Sequence, residues 1–383
     1  MFEFSEQDKM LRNQVRDYAK KELAPGAKKR AKTGEIPPEM WKKIADLGYT
    51  GMGISEKYGG QDATWITRGV VIEELAYADI NIGGLTHHIQ NMAWMTSQGK
   101  EEVAAEWVPA FISTNKVCSA AITEPACGAD VAAIQTKAIK DGDDYVITGE
   151  KTSISRGTYA DACLVLAKTD PNAGIRGLTQ FLVPLDLPGI EKSALHDMGC
   201  FAVGRAIINF DGVRIPSKYR ISPEGQAFTK AFAAGVDKGR ALTGLAVLAA
   251  ARASVDETIA FAKERVAFGK PIAKYEGVSF KIAEASTYIE AARLFCYYTL
   301  WLGDQDKQTL KEGSMCKWWC PQLAERIIHD CLLLYGHIGY TDELPLEQRM
   351  RDVIGFEYTD GTAEVNKLNI IREIMGKEAL PYK

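Results

Sequence analysis

Apolar residues repeat at helical spacing through the first third of the chain. Over residues 5–23 they recur every three or four positions, after a serine suited to cap a helix and before a proline. A second helix is predicted over residues 38–48, because its first residue is a proline and its last a glycine. The same pattern continues over residues 66–112. The sequence therefore predicts an N-terminal helical domain over residues 1–118.

Short apolar runs replace the helical pattern in the middle of the chain. Four of them, separated by Asp-Gly, Asp-Pro-Asn and glycine-rich turns, lie at residues 145–148, 163–167, 180–184 and 206–210. Strands without intervening helices favour an antiparallel barrel or sandwich over βαβ units. No Gly-x-Gly-x-x-Gly follows a strand, so a Rossmann domain is disfavoured. We expect a middle antiparallel β-barrel domain over residues 119–225.

Helical periodicity returns from about residue 226 and is strongest over residues 231–263 and 279–302. These segments predict a C-terminal helical domain, a four-helix bundle, over residues 226–383. The fold class is therefore α+β and multidomain, with a β-barrel domain between two helical ones.

Composition narrows the class of protein. The chain has 383 residues, 46% hydrophobic and 25% charged, with a formal net charge of -4. That charge supplies no broad positive field for nucleic acid or an anionic bilayer. No run approaches the roughly 20 apolar residues of a membrane span, and the acidic first residues match neither a secretory signal nor a transit peptide. We expect a cytoplasmic protein that binds neither nucleic acid nor membrane.

The cysteines do not predict a metal site. Eight of them are scattered without a Cys-x-x-Cys pair, which argues against a zinc ribbon and a thioredoxin-type redox site. Cys316 and Cys320 would share a helix face, but no histidine stands at ligand spacing. We expect buried reduced thiols and no bound metal.

Three groups of motifs, in order along the chain, carry the candidate chemistry. They are Ile122-Thr-Glu-Pro-Ala-Cys-Gly-Ala-Asp130 with Gly149-Glu-Lys-Thr-Ser-Ile-Ser-Arg-Gly157, then Glu264-Arg-Val-Ala-Phe-Gly-Lys-Pro-Ile272, then Tyr335-Gly-His-Ile-Gly-Tyr-Thr341 with Arg349-Met-Arg-Asp352 and Asp360-Gly-Thr-Ala-Glu364. One motif could occur by chance, whereas together they resemble the acyl-CoA dehydrogenase family over nearly the whole chain. The resemblance implies FAD between barrel and bundle, usually in a homotetramer, and oxidation of an acyl-CoA thioester.

The resemblance implies flavin contacts in the first group of motifs. Thr123 and Ser155 would bond the ring edge through their hydroxyls, because the pyrimidine end of a flavin gathers negative charge on reduction. Ile122 and Ile154 would cover the ring, and Gly128 belongs to the same site. For Thr123 or Ser155 alone, a hydroxyl that satisfies a local turn is the alternative.

The other implied cofactor contacts lie in the second and third groups. Arg265 and Phe268 resemble a pair that reaches the pyrophosphate and adenine half of FAD in a neighbouring subunit, where a guanidinium fork matches phosphate oxygens. Gly336 would allow close backbone approach, and Thr362 and Glu364 complete the set. A solvated arginine and an ordinary helix cap are the alternatives.

The resemblance implies a catalytic base at Asp360, where glutamate is usual in the family. A second base position, used by some branched-chain members, falls at Gly239, which cannot take a proton. Without the motif, Asp360 would be interpreted as an Asp-Gly turn residue. Substrate contacts are implied at Arg240, which Asp237 could orient, and at Asn91, Thr359 and Gly361.

The chain departs from the family pattern at four positions. Ala129 and Val203 stand where serine is usual, Ser153 where an aromatic residue is usual, and Leu333 where glutamine is usual. We therefore assign none of the family's FAD or CoA contacts to these four positions.

The shortened base indicates the kind of acyl group. Aspartate places its carboxylate about 1.5 Å farther back than glutamate would, so it would reach the α-proton of a linear acyl chain in the usual pose poorly. An α-branched acyl group such as cyclohexane-1-carboxyl would fill that space. The segment Thr86–Asn91, which by resemblance lies beside the acyl group, is polar where a long-chain tunnel would be apolar. We expect a short alicyclic or branched acyl-CoA.

The expected reaction is removal of the α-proton by Asp360 and of the β-hydride by flavin N5, with electrons passing to an electron-transferring flavoprotein. A linear short-chain acyl-CoA remains an alternative substrate. A flavin oxidase of the nitroalkane-oxidase type, which also uses an aspartate base, is an alternative function. DNA-associated relatives of the fold would have a basic face or an extra C-terminal domain, and the sequence has neither.

Overall fold

The computed structural model describes residues 3–227 and 233–381, in which helices, strands and helices follow one another in the predicted order. Residues 231 and 232 of the predicted helix over 231–263 lie outside the described residues. No helix of the described ranges is long and apolar enough to cross a membrane. All eight cysteines are buried free thiols, as predicted.

The N-terminal region is helical, as predicted. Its α-helices are α1 (Glu6–Tyr18), α2 (Ala27–Thr33), α3 (Pro38–Asp46), α4 (Trp65–Ala78), α5 (Ile80–Ser97) and α6 (Glu101–Ile112). Ser5 caps α1, since its hydroxyl accepts a hydrogen bond from the Asp8 N–H at 3.0 Å and its own N–H donates to the Asp8 carboxylate at 3.2 Å. A π-helical turn at Ala19–Leu23 extends α1, which accounts for the helical pattern over residues 5–23.

The middle region is one curled sheet. Its strands are β1 (Cys118–Ala121), β2 (Lys137–Asp141), β3 (Asp144–Ile154), β4 (Ala162–Lys168), β5 (Leu178–Pro184), β6 (Ile190–Ala194) and β7 (Ala206–Pro216). The order is β1-β4-β2-β3-β7-β6, with β5 beside β4. The four predicted apolar runs lie on β3, β4, β5 and β7.

One edge of this sheet departs from the expected antiparallel pairing. Strand β1 pairs with β4 in parallel, with Cys118 opposite Ala162, and β2 meets β4 in parallel at one position. The connection from β1 to β4 carries the β2–β3 hairpin, and a connection of that length permits parallel pairing, which a tight turn does not. The remaining pairs are antiparallel.

The C-terminal region consists of long packed helices and one small hairpin. Its elements are α7 (Ala233–Glu264), β8 (Val266–Ala267), β9 (Lys270–Pro271), α8 (Glu276–Asp304), α9 (Leu310–Tyr335), α10 (Leu346–Tyr358) and α11 (Ala363–Met375). Helix α7 packs against α4, α5, α8 and α9. A Cβ on Gly313 of α9 would lie 2.2 Å from the Asp237 carbonyl oxygen, so glycine permits the close approach of α9 to α7.

A buried carboxylate joins the first helical region to the bundle. Glu73 of α4 accepts hydrogen bonds from Arg252 of α7 at 2.9 Å and from the Tyr297 hydroxyl of α8 at 2.7 Å. Arg293 of α8 bonds the same carboxylate at 2.5 Å. Because three donors share one buried anion, the relative placement of α4, α7 and α8 is fixed.

Candidate active site

Segments from all three regions meet at Asp352 on α10. Its buried carboxylate accepts hydrogen bonds from the Asn81 side chain of α5 at 2.9 Å and from the Cys200 N–H at 2.6 Å, between β6 and β7. Burial raises the pKa of Asp352 to about 6, and the hydrogen bonds oppose that rise. These contacts hold the start of α5 and residues near Cys200 against α10, whose C-terminal end leads to Asp360.

Asp360 lies in the turn between α10 and α11, just after Thr359 ends α10. Its side chain is exposed, and its φ of 52° places it in the left-handed region, followed by Gly361 at 95°. Aspartate tolerates this conformation better than most residues, and contacts of the neighbouring residues hold it here. The Gly361 carbonyl accepts hydrogen bonds from Asn366 at 2.9 Å and from Lys317 at 3.3 Å. Hydrogen bonds to the Gly361 carbonyl therefore fix the turn, while the Asp360 carboxylate stays accessible.

Arg240 lies against this turn from α7. Its buried guanidinium donates to the Ser314 hydroxyl of α9 at 3.2 Å and to the Asp237 carboxylate at 3.5 Å, so Asp237 orients it. A Cβ on Gly361 would lie 3.5 Å from Arg240 Nη2. Burial lowers the pKa of Arg240, and the negative charges of Asp237 and Asp360 oppose that change. The structure thus brings Arg240, Gly361 and Asp360 together.

The polar segment Thr86–Asn91 belongs to α5, and His87 meets α7 beside Arg240. A Cβ on Gly239 would lie 3.3 Å from His87 Nε2. Burial lowers the pKa of both His87 and His88 to about 3, so both rings are neutral near pH 7. Their Nδ1 atoms have no hydrogen-bond partner in the part of the chain that the structure describes.

Two amides of the same segment differ in surroundings. The Gln90 side chain accepts a hydrogen bond from Arg68 at 3.0 Å and donates to the Tyr49 carbonyl at 2.7 Å, so it is committed to the interior of the N-terminal region. Asn91 is half-buried on α5. Of the two, only Asn91 was predicted to contact substrate.

The two segments predicted to contact the flavin are joined through a buried ion pair. The Thr152 N–H donates to the Thr123 carbonyl at 2.9 Å. Lys151 donates to the Ile122 carbonyl at 2.9 Å and to the Glu124 carboxylate at 2.8 Å, with both charged side chains buried. Residues 122–124 therefore lie directly beside the end of β3 that carries Ile154 and Ser155.

The side chains of this segment pair fit an isoalloxazine ring. Among the described residues no hydrogen bond is formed by the hydroxyl of Thr123 or Ser155, so both can bond a polar ring edge. A Cβ on Gly128 would have Thr123 Cγ2, at 4.0 Å, as its nearest neighbour, which leaves open space at that position. Ile122 is half-buried and offers apolar contact, whereas Ile154 is 1% exposed and supports the strand from within.

The second set of predicted cofactor residues lies at the far end of α7. Arg265 is exposed where the β8–β9 hairpin begins, and Phe268 at its tip is 97% exposed. Phe261 stacks on Tyr335 with ring centroids 4.1 Å apart, which brings this end of α7 beside Gly336. In the described ranges Arg265 forms no ion pair. An exposed arginine beside an almost fully exposed phenylalanine fits contact with a group outside this subunit.

Thr362 and Glu364 lie at the N-terminus of α11. Thr362 caps the helix, its hydroxyl accepting from the Val365 N–H at 3.4 Å, and Glu364 is exposed in the first turn. Gly336 has a φ of 68°, and a Cβ there would meet nothing within 4 Å. Within this subunit, then, backbone conformation rather than crowding accounts for Gly336.

The four positions that break the family pattern are spread over the site and the surface. Ser153 is exposed with a φ of 57°. The Val203 carbonyl accepts a hydrogen bond from the Arg156 N–H at 2.7 Å, so Val203 fixes the turn after Ser155. Leu333 is 54% exposed on α9, and Ala129 is exposed.

Sequence reasoning missed the residues beneath the site. Lys317 is buried within the run Met315–Cys320, where a single charge interrupts an apolar stretch of helix, and that interruption was the available signal. Ser314 and Asn366 carried no comparable signal. The Glu124–Lys151 pair lay inside the quoted motifs, but their pairing across the sheet depends on the fold.

Models of protein families match three successive parts of the chain. Residues 5–115 match the description "Acyl-CoA dehydrogenase, N-terminal domain", residues 119–213 the middle domain and residues 229–375 the C-terminal domain. The order is the same as that of the three regions of the fold.

Individual relatives agree with the domain matches. The chain is 32% identical over 379 residues to a probable acyl-CoA dehydrogenase, YngJ, of Bacillus subtilis, covering 98% of this chain and 99% of the relative. It is 31% identical to the CarC subunit of the caffeyl-CoA reductase-Etf complex of Acetobacterium woodii, covering 98% and 100%. The structure of butyryl-CoA dehydrogenase from Megasphaera elsdenii superimposes with a TM-score of 0.93 at 27% identity, covering 98% and 99%.

The domain matches and the relatives place the chain in one class of enzyme, the flavin-dependent acyl-CoA dehydrogenases. The chain belongs to the acyl-CoA dehydrogenase family and is an enzyme of that type. Members of this family use FAD for the dehydrogenation that they catalyse.

Proposed function

We propose that this enzyme removes the α-proton and the β-hydride from a short, alicyclic or α-branched acyl-CoA, with Asp360 as the base. The observation that carries the proposal is the accessible Asp360 carboxylate in a turn fixed against Arg240. A base must reach the proton at roughly 2.6–3.2 Å, so a fixed turn matters more than the acidity of the group. Thr359, Gly361 and Asn91 would border the acyl group.

The alicyclic part of the proposal depends on the length of the base. Because aspartate is one methylene shorter than glutamate, a gap of that size separates its carboxylate from the place where the α-carbon of a linear acyl chain would lie. A ring that carries the thioester places bulk in that space and still presents its α-hydrogen.

We propose that the FAD ring binds against Ile122, Thr123, Gly128 and Ser155, over the strand end that Ile154 supports. Bound FAD would supply the acceptor for the β-hydride. The protein contributes two unbonded hydroxyls for the polar ring edge and keeps their segments in register through Lys151 and the Thr123–Thr152 bond. Thr362 and Glu364 would extend the site toward the rest of the cofactor.

We further propose a homotetramer in which Arg265, Phe268 and Gly336 contact the FAD of a neighbouring subunit. Replacing Arg265 by Ala removes a charge-assisted phosphate contact and should weaken FAD binding by about 1.5–3 kcal/mol, or roughly 10- to 100-fold. The flavin-to-protein absorbance ratio after gel filtration at decreasing protein concentration measures the effect. The matched control is Lys263→Ala, which removes an exposed charge two residues earlier and should leave flavin content unchanged. Equal retention of FAD in Arg265→Ala and in the unmutated enzyme would contradict the assignment.

The substrate class is tested by anaerobic flavin bleaching with a panel of thioesters. We expect kcat/KM to be highest for cyclohexanecarboxyl-CoA, lower for isobutyryl-CoA and butyryl-CoA, and lowest for octanoyl-CoA. A compact pocket discriminates by about 1–3 kcal/mol per misplaced methylene, so the extremes should differ by at least 10-fold. A clear preference for butyryl-CoA would instead establish the linear short-chain alternative.

The electron acceptor is proposed to be an electron-transferring flavoprotein. The supporting observation is the likeness to CarC, whose name places it in a complex with Etf. Hydrogen peroxide formation that matches substrate consumption would show the oxidase alternative instead, and bleaching by nitroalkanes without CoA would identify its substrate. Cytoplasmic location and domain boundaries near residues 118 and 225 stay predictions.

A further inference from the structure

A buried lysine lies beneath the turn that carries Asp360. The Lys317 side chain on α9 is 0% exposed. Its Nζ donates to the Phe356 carbonyl at 2.6 Å and to the Gly361 carbonyl at 3.3 Å. These two carbonyls lie on either side of residues 357–360, so one ammonium group bonds both ends of the segment that contains Asp360.

We propose that Lys317 is a positioning residue that holds this turn, and with it the Asp360 carboxylate, in the geometry needed for proton abstraction. The inference rests on the proposed role of Asp360 as the base. Asp360 and Gly361 both adopt left-handed backbone conformations, which aspartate and glycine tolerate, so the position of the carboxylate depends on the contacts that hold the two ends of the turn. Asn366 fixes only its C-terminal side, through the Gly361 and Thr362 carbonyls. Among the hydrogen bonds of the described residues, those of Lys317 link that side to the end of α10.

The charge of Lys317 gives it a second effect. Within the described ranges Lys317 forms no salt bridge. The ionisable groups close enough to act on it are Asp360 and Glu357 on the turn side, Arg240 on α7 and the Cys320 thiol on its own helix. Burial lowers the pKa of Lys317 to about 8, and the negative charge of Asp360 opposes that change. A charged ammonium bonds the two carbonyls more strongly than a neutral amine does, so its hold on the turn weakens as pH rises through about 8.

Two alternatives for Lys317 predict different behaviour. A lysine that only fills space and satisfies two carbonyls would affect thermal stability and flavin content when replaced, and the rate would follow those losses. A positioning lysine affects the chemical step at full flavin occupancy. The discriminating measurements are therefore the single-turnover rate of flavin reduction, substrate binding and the pH profile of the holoenzyme.

The test compares Lys317→Met, Lys317→Gln and Lys311→Met as FAD-loaded enzymes under anaerobic stopped-flow with cyclohexanecarboxyl-CoA, and in parallel with butyryl-CoA. A displacement of about 1 Å in the base costs about 100-fold, so Lys317→Met should bleach about 100-fold more slowly with nearly unchanged substrate binding. Lys317→Gln, which keeps N–H donors, should recover part of the rate. In the unmutated enzyme the rate should fall as pH rises through about 8, where Lys317 loses its charge, and neither variant should show that fall.

Lys311→Met is the matched control, because Lys311 is half-buried on the same helix, lies away from the turn and pairs with Glu312 at 3.1 Å. It should bleach at the unmutated rate. If Lys317→Met does not fold with FAD, the rate and pH profile of Lys317→Gln decide. An unmutated rate and pH profile in a folded Lys317 variant, alongside an inactive Asp360→Asn enzyme, would overturn the positioning role alone. An active Asp360→Asn enzyme would overturn the proposed base and this inference with it.

Discussion

Replacing Asp360 by Asn should abolish flavin reduction while leaving the flavin bound. Removing a general base costs about 10²- to 10⁴-fold, and the amide keeps the size of the side chain and the left-handed turn, which asparagine also tolerates. Substrate binding should be unchanged or slightly tighter, because the negative charge beside the acyl group is gone. The measurement is the anaerobic single-turnover rate with cyclohexanecarboxyl-CoA at saturating concentration.

Asp237 is the other nearby carboxylate that could act as the base, so Asp237→Asn is the comparison for Asp360→Asn. Burial raises the pKa of Asp237, and a carboxylate of raised pKa near a site is a general candidate for acid-base chemistry. Its oxygen is bonded to Arg240, however, so it orients that side chain. Asp237→Asn should lose far less of the rate than Asp360→Asn. If the two variants reverse this order, Asp237 is the base.

Lengthening the base tests the substrate argument independently. In Asp360→Glu the carboxylate advances by about 1.5 Å and removes the space that a ring would occupy. The ratio of kcat/KM for butyryl-CoA over cyclohexanecarboxyl-CoA should therefore rise. An unchanged ratio would mean that the length of the base does not select the acyl group.

The sequence predicted those parts of the fold that depend on local chemistry. Ser5 and Pro38 marked helix starts correctly, because a side-chain cap and a fixed φ act on the residues next to them. The four apolar strands were found because a short apolar run and the turns that bound it are local features. Strand β1, only four residues long, was missed, and so was its parallel pairing with β4, which depends on chain segments more than 40 residues apart in sequence.

The candidate site was predictable only where a motif marked it. Asp360 and Thr123 lie in motifs, and the fold places each in a segment that other residues fix. Ser314 and Asn366 act through a neighbouring side chain and backbone carbonyls, and such contacts leave no pattern in a single sequence. Lys317 left only the single charge that interrupts an apolar stretch of α9. Gln90 shows that a polar residue in a predicted site segment need not face the substrate. Its side chain is hydrogen-bonded inside the N-terminal region.

The buried Glu124–Lys151 pair should be the most sensitive point of the flavin site for stability. The Glu124 carboxylate also accepts hydrogen bonds from the backbone N–H groups of Gln135 and Thr136, the latter at 2.9 Å, and Lys151 bonds the Ile122 carbonyl. Replacing Glu124 by Gln leaves the Lys151 ammonium buried without its anion, and breaking a buried pair in this way costs about 3–5 kcal/mol. Urea unfolding of the apoprotein and the fraction of FAD retained should both show the loss.

The double variant Glu124→Gln/Lys151→Met separates charge burial from flavin binding. With both charges removed the stability should recover by several kcal/mol, because a buried ion pair contributes little net stability over apolar groups of similar size. Flavin retention should stay low, since the bond from Lys151 to the Ile122 carbonyl is still missing and residues 122–123 keep only the Thr123–Thr152 backbone bond to β3. Asp141→Asn is the control on the same sheet: its pair with Arg214 is exposed and should contribute at most about 1 kcal/mol. A double variant that regains full FAD binding would show that the pair stabilises the sheet without positioning the flavin segments.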